Sequence, residues 1–172
     1  MRILGIDPGL TTMGYGLIEL EQDKEFYLSC GVIKTAPELP VGEALTILRG
    51  QLKALLAQYQ PDLAGVEKLY VVKNLKTAMK VGEARGVIMQ LLQESGVPAE
   101  EYIPTEIKQA VTGYGQATKQ QIQAMVKRIL RLDFLPKPAD AADALAIALT
   151  ASRLSKFKRL TGQAQAGMLK ES

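Results

Sequence analysis

The chain contains no histidine, and that absence removes several chemistries at once. No Ser–His–Asp or Cys–His triad, no histidine general base and no histidine metal site can be built. Any catalysis must rest on carboxylates, lysines, hydroxyls or bound metal. There is a single cysteine, Cys30, so no disulfide can close within the chain, which fits a reducing compartment. Cys30 lies in an apolar run and reads as a small buried hydrophobe. No apolar run nears the roughly 18 residues of a membrane helix, so no membrane partner is expected. Met1 to Ile6 reads as a strand rather than a secretory leader. The expected location is therefore the cytoplasm.

What is present suits one soluble globular domain. The 172 residues are 47% hydrophobic and 23% charged, enough to bury a core unaided. The net charge of +3 says little, but its distribution is uneven. Residues 1–67 carry 5 basic and 9 acidic groups, net −4, and residues 68–131 carry 10 and 5, net +5. Residues 132–152 return to net −2, and residues 153–172 reach net +4. Basic segments around acidic ones suit a protein that meets a polyanion near a carboxylate site. The same charges could equally solvate helix faces.

The hydrophobic pattern predicts three opening strands: Arg2 to Asp7, Thr12 to Leu20 and Phe26 to Lys34. The polar Glu21–Lys24 stretch makes a hairpin of the second and third. Ala44, Leu45, Leu48, Leu52, Leu55 and Leu56 recur at helical spacing and predict a helix over 41–59. Pro61-Asp62 breaks it, and Leu63 to Glu67 reads as a short strand. A helix over 75–94 stops at Ser95-Gly96, and Glu101 to Ile103 is a brief strand. Pro104-Thr105 opens a short helix to Val111, and Thr118 caps another to about Leu132. The last helix runs from Ala139 to Leu154. These elements form one domain, residues 1–155. Residues 156–172 read as a basic, mobile tail. The order βββαβαβααα predicts an α/β fold with a mixed five-stranded sheet and helices on both faces.

Four acids stand at places where this fold gathers ligands. Asp7 and Glu67 close two buried strands, and ligands collect beyond the carboxyl ends of strands in open sheets. Asp140 and Asp143 are three apart and share one face of the last helix. That helix is otherwise small and apolar, so it can pack tightly on a sheet and carry both acids to the strand ends. Clustered carboxylates repel one another unless cations lie between them. All-oxygen donors favour Mg2+ or Mn2+. Two such ions roughly 3.5–4 Å apart are a standard clamp for phosphodiester hydrolysis. Each acid also has an ordinary use. Asp7-Pro8-Gly9 suits a turn, and Glu67 could pair with a surface lysine. Asp140 suits a helix N-cap, and Asp143 the first-turn dipole.

Five motifs run in order along the chain. They are Gly5-Ile6-Asp7-Pro8-Gly9, Thr12-Met13-Gly14-Tyr15-Gly16, Val66-Glu67, Gly82-Glu83-Ala84-Arg85-Gly86 and Ala139 to Ala148. Together they resemble the RuvC Holliday-junction resolvases, from residue 1 to about 155. The resemblance implies a ribonuclease-H-like fold, a homodimer, and symmetric metal-dependent nicking of four-way DNA junctions in recombination and repair. It implies that Asp7 bridges two metal ions, that Glu67 binds one, and that Asp140 and Asp143 complete the set. Some relatives place histidine at the position of Asp140; here the set is all carboxylate. By the same resemblance Lys108 and Lys119 act near the scissile phosphate, and Tyr70 stands where relatives stack an aromatic ring near the crossover. Lys73, Asn74, Lys76, Lys80 and Arg85 read as phosphate contacts. A branch-migration helicase complex is implied as a partner.

Three rivals remain. Another ribonuclease-H-like nuclease, acting on RNA–DNA hybrid or RNA, would share the acids. A sugar-kinase or actin-like fold also places Asp and Gly after its first strand, but needs two such domains. A junction-binding module would have no use for four acids that repel DNA.

Overall fold

The computed structural model describes residues 1–69 and 75–168; for Lys76 and residues 156–168 it describes the backbone alone. Three strands open the chain, β1 (Arg2–Asp7), β2 (Thr12–Glu21) and β3 (Lys24–Lys34). Helix α1 (Val41–Tyr59), strand β4 (Leu63–Glu67), helix α2 (Leu75–Glu94) and strand β5 (Ala99–Tyr102) follow. Helices α3 (Pro104–Thr112), α4 (Lys119–Ile129) and α5 (Ala139–Met168) complete it. The sheet order is β3-β2-β1-β4-β5. β1 pairs antiparallel with β2, and β2 with β3. β4 lies parallel to β1, and β5 parallel to β4. The expected mixed five-stranded sheet is therefore present.

Side chains alternate across a strand, so each strand feeds two faces. Leu4 and Ile6 of β1 and Ala64 and Val66 of β4 enter one core with Leu48 and Leu52 of α1 and Ile88 and Leu92 of α2. Ile3 and Leu63 enter the other, with Ile107, Ile122 and Leu145 of α3, α4 and α5. The apolar residues Ala84, Ile88, Leu91 and Leu92 of α2 are thus spent on the core. Cys30 is half-buried against the second core.

Helix α5 lies almost on the backbone of the sheet. Glycines of β1 and β2 share its face. A Cβ on Gly5 would strike the Ala144 carbonyl, one on Gly14 the Asp140 carbonyl, and one on Gly16 would lie 2.5 Å from the Leu145 nitrogen. Ala144, Ala148 and Ala151 supply the matching small residues and are wholly buried. Two expectations for this helix differ from what is found. It begins at Ala139, so Asp140 is inside the first turn rather than at the N-cap. Its backbone also continues to Met168, past Leu154. Residues 155–168 contain no proline, and more than half of them are Lys, Arg, Leu, Ala or Gln, which favour helix even where apolar periodicity has ended.

Candidate active site

The sheet pleat sets the first two acids. Ile3, Gly5 and Asp7 alternate onto the α5 face of β1, and Leu63, Gly65 and Glu67 onto the same face of β4. The last registered pair of these strands is Ile6 with Val66. Asp7 and Glu67 are the next residues on each, on strands that lie about 4.8 Å apart. Beyond Asp7 the chain turns sharply; a Cβ on Gly9 would strike the Thr12 carbonyl. Thr35, buried after β3, pins this turn. Its Oγ1 donates to the Leu10 carbonyl at 2.7 Å, and its N–H donates to the Thr11 carbonyl at 3.1 Å.

The second pair comes from α5. Carboxylate oxygens of Asp7, Asp140 and Asp143 all lie within 4.8 Å of one another. Glu67 joins Asp7 and Asp143 in lining an adjacent cleft of about 330 Å3, whose wall includes Lys108, Lys119, Pro104, Ile107 and Ile122. All four expected acids are therefore brought together, and both expected lysines stand beside them.

Their mutual repulsion shows in the protonation. The Asp7 carboxyl is pushed up to about 8, first by burial and then by the charges of Glu67, Asp143 and Asp140, with Lys119 partly offsetting them. Glu67 is also raised, by burial and then by Asp143, while a hydrogen bond from Asp7 and the charges of Lys119 and Lys108 hold it back. Half-buried carboxylate oxygens in such number, short of positive charge, fit a site for hard divalent cations.

Lys119 supplies part of the missing charge. Thr118 caps α4 by a reciprocal box: its Oγ1 accepts from the Gln121 N–H, and the Gln121 side chain accepts from the Thr118 N–H. That box places Lys119 in the first turn, where the helix dipole disfavours a cation. Its Nζ lies 3.1 Å from Asp143 Oδ2. Asp143, more than any other group, raises the lysine above its ordinary range. Lys108 sits midway along α3, whose Pro104 fills the first helical position and whose Glu106 accepts from the Ile103 N–H at 2.9 Å.

The expected DNA contacts divide differently. Tyr70, Lys73 and Asn74 lie outside the described residues, as does the side chain of Lys76. Lys80 is exposed on α2. Arg85 is held by Glu101 of β5 in an ion pair and is not brought to the carboxylates. Sequence reasoning missed Thr35 and the apolar wall of Pro104, Ile107 and Ile122. Thr35 had no local signal, because its partner is 25 residues away. The glycines of β1 and β2 did carry one: they alternate, which marks a face pressed against something.

A three-layered α/β/α domain whose strand ends and closing helix gather an all-carboxylate site defines a nuclease of the ribonuclease-H-like class that depends on divalent metal. The chain matches the family described as crossover junction endodeoxyribonuclease RuvC over residues 3–151. It is 48% identical over 157 residues to the crossover junction endodeoxyribonuclease RuvC of Brevibacillus brevis, covering 91% of this chain and 95% of the relative. It is 44% identical over 164 residues to that of Thermomicrobium roseum, covering 94% of this chain and all of the relative. The Thermus thermophilus RuvC in complex with Holliday junction substrate superposes with a TM-score of 0.87 at 35% identity, over 92% of this chain and 96% of that one. The chain belongs to the RuvC family of crossover junction endodeoxyribonucleases.

Proposed function

We infer that this protein is an endonuclease that resolves four-way DNA junctions by symmetric, metal-dependent hydrolysis of phosphodiesters during recombination and repair. The observation that carries the inference is the convergence of Asp7, Asp140 and Asp143, with Glu67 in the same cleft, in a chain of this family. Asp7 is the central acid and would bridge two ions, Mg2+ or Mn2+. Glu67 would hold one of them, and Asp140 and Asp143 would complete the set. Such ions supply activation of the attacking water and stabilisation of the leaving 3′ oxygen.

The other groups act on the phosphate. Lys108 on the cleft wall holds a phosphate oxygen and stabilises the charge that grows on it. Lys119, paired to Asp143 and lining the same cleft, would add its charge beside the phosphate. Lys80 and Arg85 of α2, with Tyr70, Lys73, Asn74 and Lys76, hold the arms. Phosphate contacts of this kind position the junction without reading its sequence. Two opposed nicks require two sites, so the working unit is a homodimer. A branch-migration helicase complex in the cytoplasm is its further partner. No helix among the described residues is long and apolar enough to cross a membrane.

A labelled synthetic junction, incubated with the protein and Mg2+ or Mn2+ beside linear duplex and RNA–DNA hybrid, tests this. Paired symmetric nicks confined to the junction are expected. Cutting of the hybrid alone would keep the metal site and overturn the substrate.

A further inference from the structure

Far from the carboxylates, one side chain joins three elements at the back of the helix that carries Lys108. We propose that Arg153 is a positioning residue that sets Lys108 against the carboxylates by tying the C-terminus of α3 to α5. The inference rests on the reading of Lys108 given above.

Helix ends leave carbonyls without intrahelical partners, and the C-terminal end of the dipole favours a cation. In α3, the Thr112 hydroxyl donates to the Lys108 carbonyl at 2.8 Å, and the Gly113 N–H donates to the Gln109 carbonyl at 2.9 Å. The Ala110 carbonyl is reached from another helix, by Arg153 Nη1 at 2.5 Å. The last turn of α3 has no basic residue of its own, so Arg153 supplies from α5 the charge that this turn lacks.

Arg153 is itself held. Its Nε lies 3.6 Å from Glu25 Oε1 on β3, and the hydroxyl of buried Ser152 donates to the same oxygen at 3.4 Å. The Glu25 side chain is 17% exposed and that of Arg153 35%, so water competes only partly for the pair. The tie thus runs from the sheet through α5 to α3. Ile107 and Val111 bury one side of α3 in the same core as Leu145 and Leu149, but apolar contact alone leaves a helix free to slide along its partner. A directional bond to one carbonyl fixes the slide, and with it the place of Lys108. Arg153 lies ten residues beyond Asp143, about 15 Å along the helix, so it acts through α3 rather than on the reacting groups.

The test is a double-mutant cycle under single-turnover conditions with a labelled junction and Mn2+. Arg153→Met should slow cutting about tenfold while junction affinity and Mn2+ dependence stay as in wild type. In a Lys108→Gln background the same change should slow cutting no further. Equal slowing in both backgrounds, or cutting by Arg153→Met at the wild-type rate, overturns the proposal. If Arg153→Met does not fold, Glu25→Gln, which loosens the support and leaves the arginine, is run through the same cycle; its loss should be smaller and likewise absent in Lys108→Gln. Should Lys108→Gln alone cut normally, the reading of Lys108 has failed. Amide exchange at residues 110–113 then decides the tie itself: faster exchange in the Arg153 variant sustains it, and unchanged exchange removes it.

Discussion

Three other acids press on Asp7. Its carboxyl holds a proton up to about 8 when no cation is bound, against 3.8 for the free side chain. The folded chain therefore binds that proton more tightly than the unfolded chain does. This group's contribution to metal-free stability is full below about pH 4 and declines as pH rises towards 8, by at most about 1.4 kcal/mol per pH unit. Asp7→Asn removes the decline. Denaturant unfolding in chelator at pH 5 and pH 8 should show the variant gaining on wild type at the higher pH; an equal difference at both would contradict the assigned crowding. The same substitution should cut junctions at least about a hundredfold more slowly, while gel-shift affinity for the junction is unchanged. The four acids were legible because each stands at a strand end or helix start, where sequence pattern fixes direction. Thr35 was not, since its hydrogen bonds cross between distant segments. Nor was the pairing of Arg85 with Glu101, which depends on how α2 lies over β5.

At the level of elements, the junction between α5 and the sheet is the most exacting contact. A Cβ on Gly16 would stand 2.5 Å from a helix backbone atom, which cannot move aside as a side-chain tip can. Gly16→Ala should destabilise the fold by about 1–3 kcal/mol through overpacking. It should also slow cutting, because the same helix carries Asp140 and Asp143. A melting shift without loss of rate would show that the helix tilts without moving its N-terminal turn. All ten elements were legible from period and punctuation: the leucines of α1, the Pro104 start of α3, the Thr118 cap of α4. The extent of α5 was not. Its buried stripe ends near Leu154, whereas backbone helix needs only the absence of breakers to continue to Met168.

For the whole molecule, the mixed character of the sheet followed from a hairpin opening and later helix–strand alternation. The edge-to-edge order β3-β2-β1-β4-β5 did not, because strand pairing is a long-range choice that local pattern does not encode. Charge acts at this scale. The four acids gather at one place, Asp7, Glu67 and Asp143 lining the cleft and Asp140 beside them, and the basic residues of 68–131 lie between Glu67 and Asp140 in sequence. Junction affinity should therefore fall steeply with salt, with a log–log slope of roughly −0.9 for each phosphate neutralised. Titrations over a fivefold range of salt check this, and a flat response would remove the basic residues from the binding surface.

One helix has two duties here. The residues of α5 between Ala141 and Ala151 are the centre of one core layer, and its first turn and a half presents half of the acidic site. Asp140 and Asp143 therefore cannot loosen while the domain stays intact, and they cannot be set in place before the core is. Inactivation by heat should have no early phase: the residual cutting measured at each temperature should trace the same curve as the loss of tertiary structure.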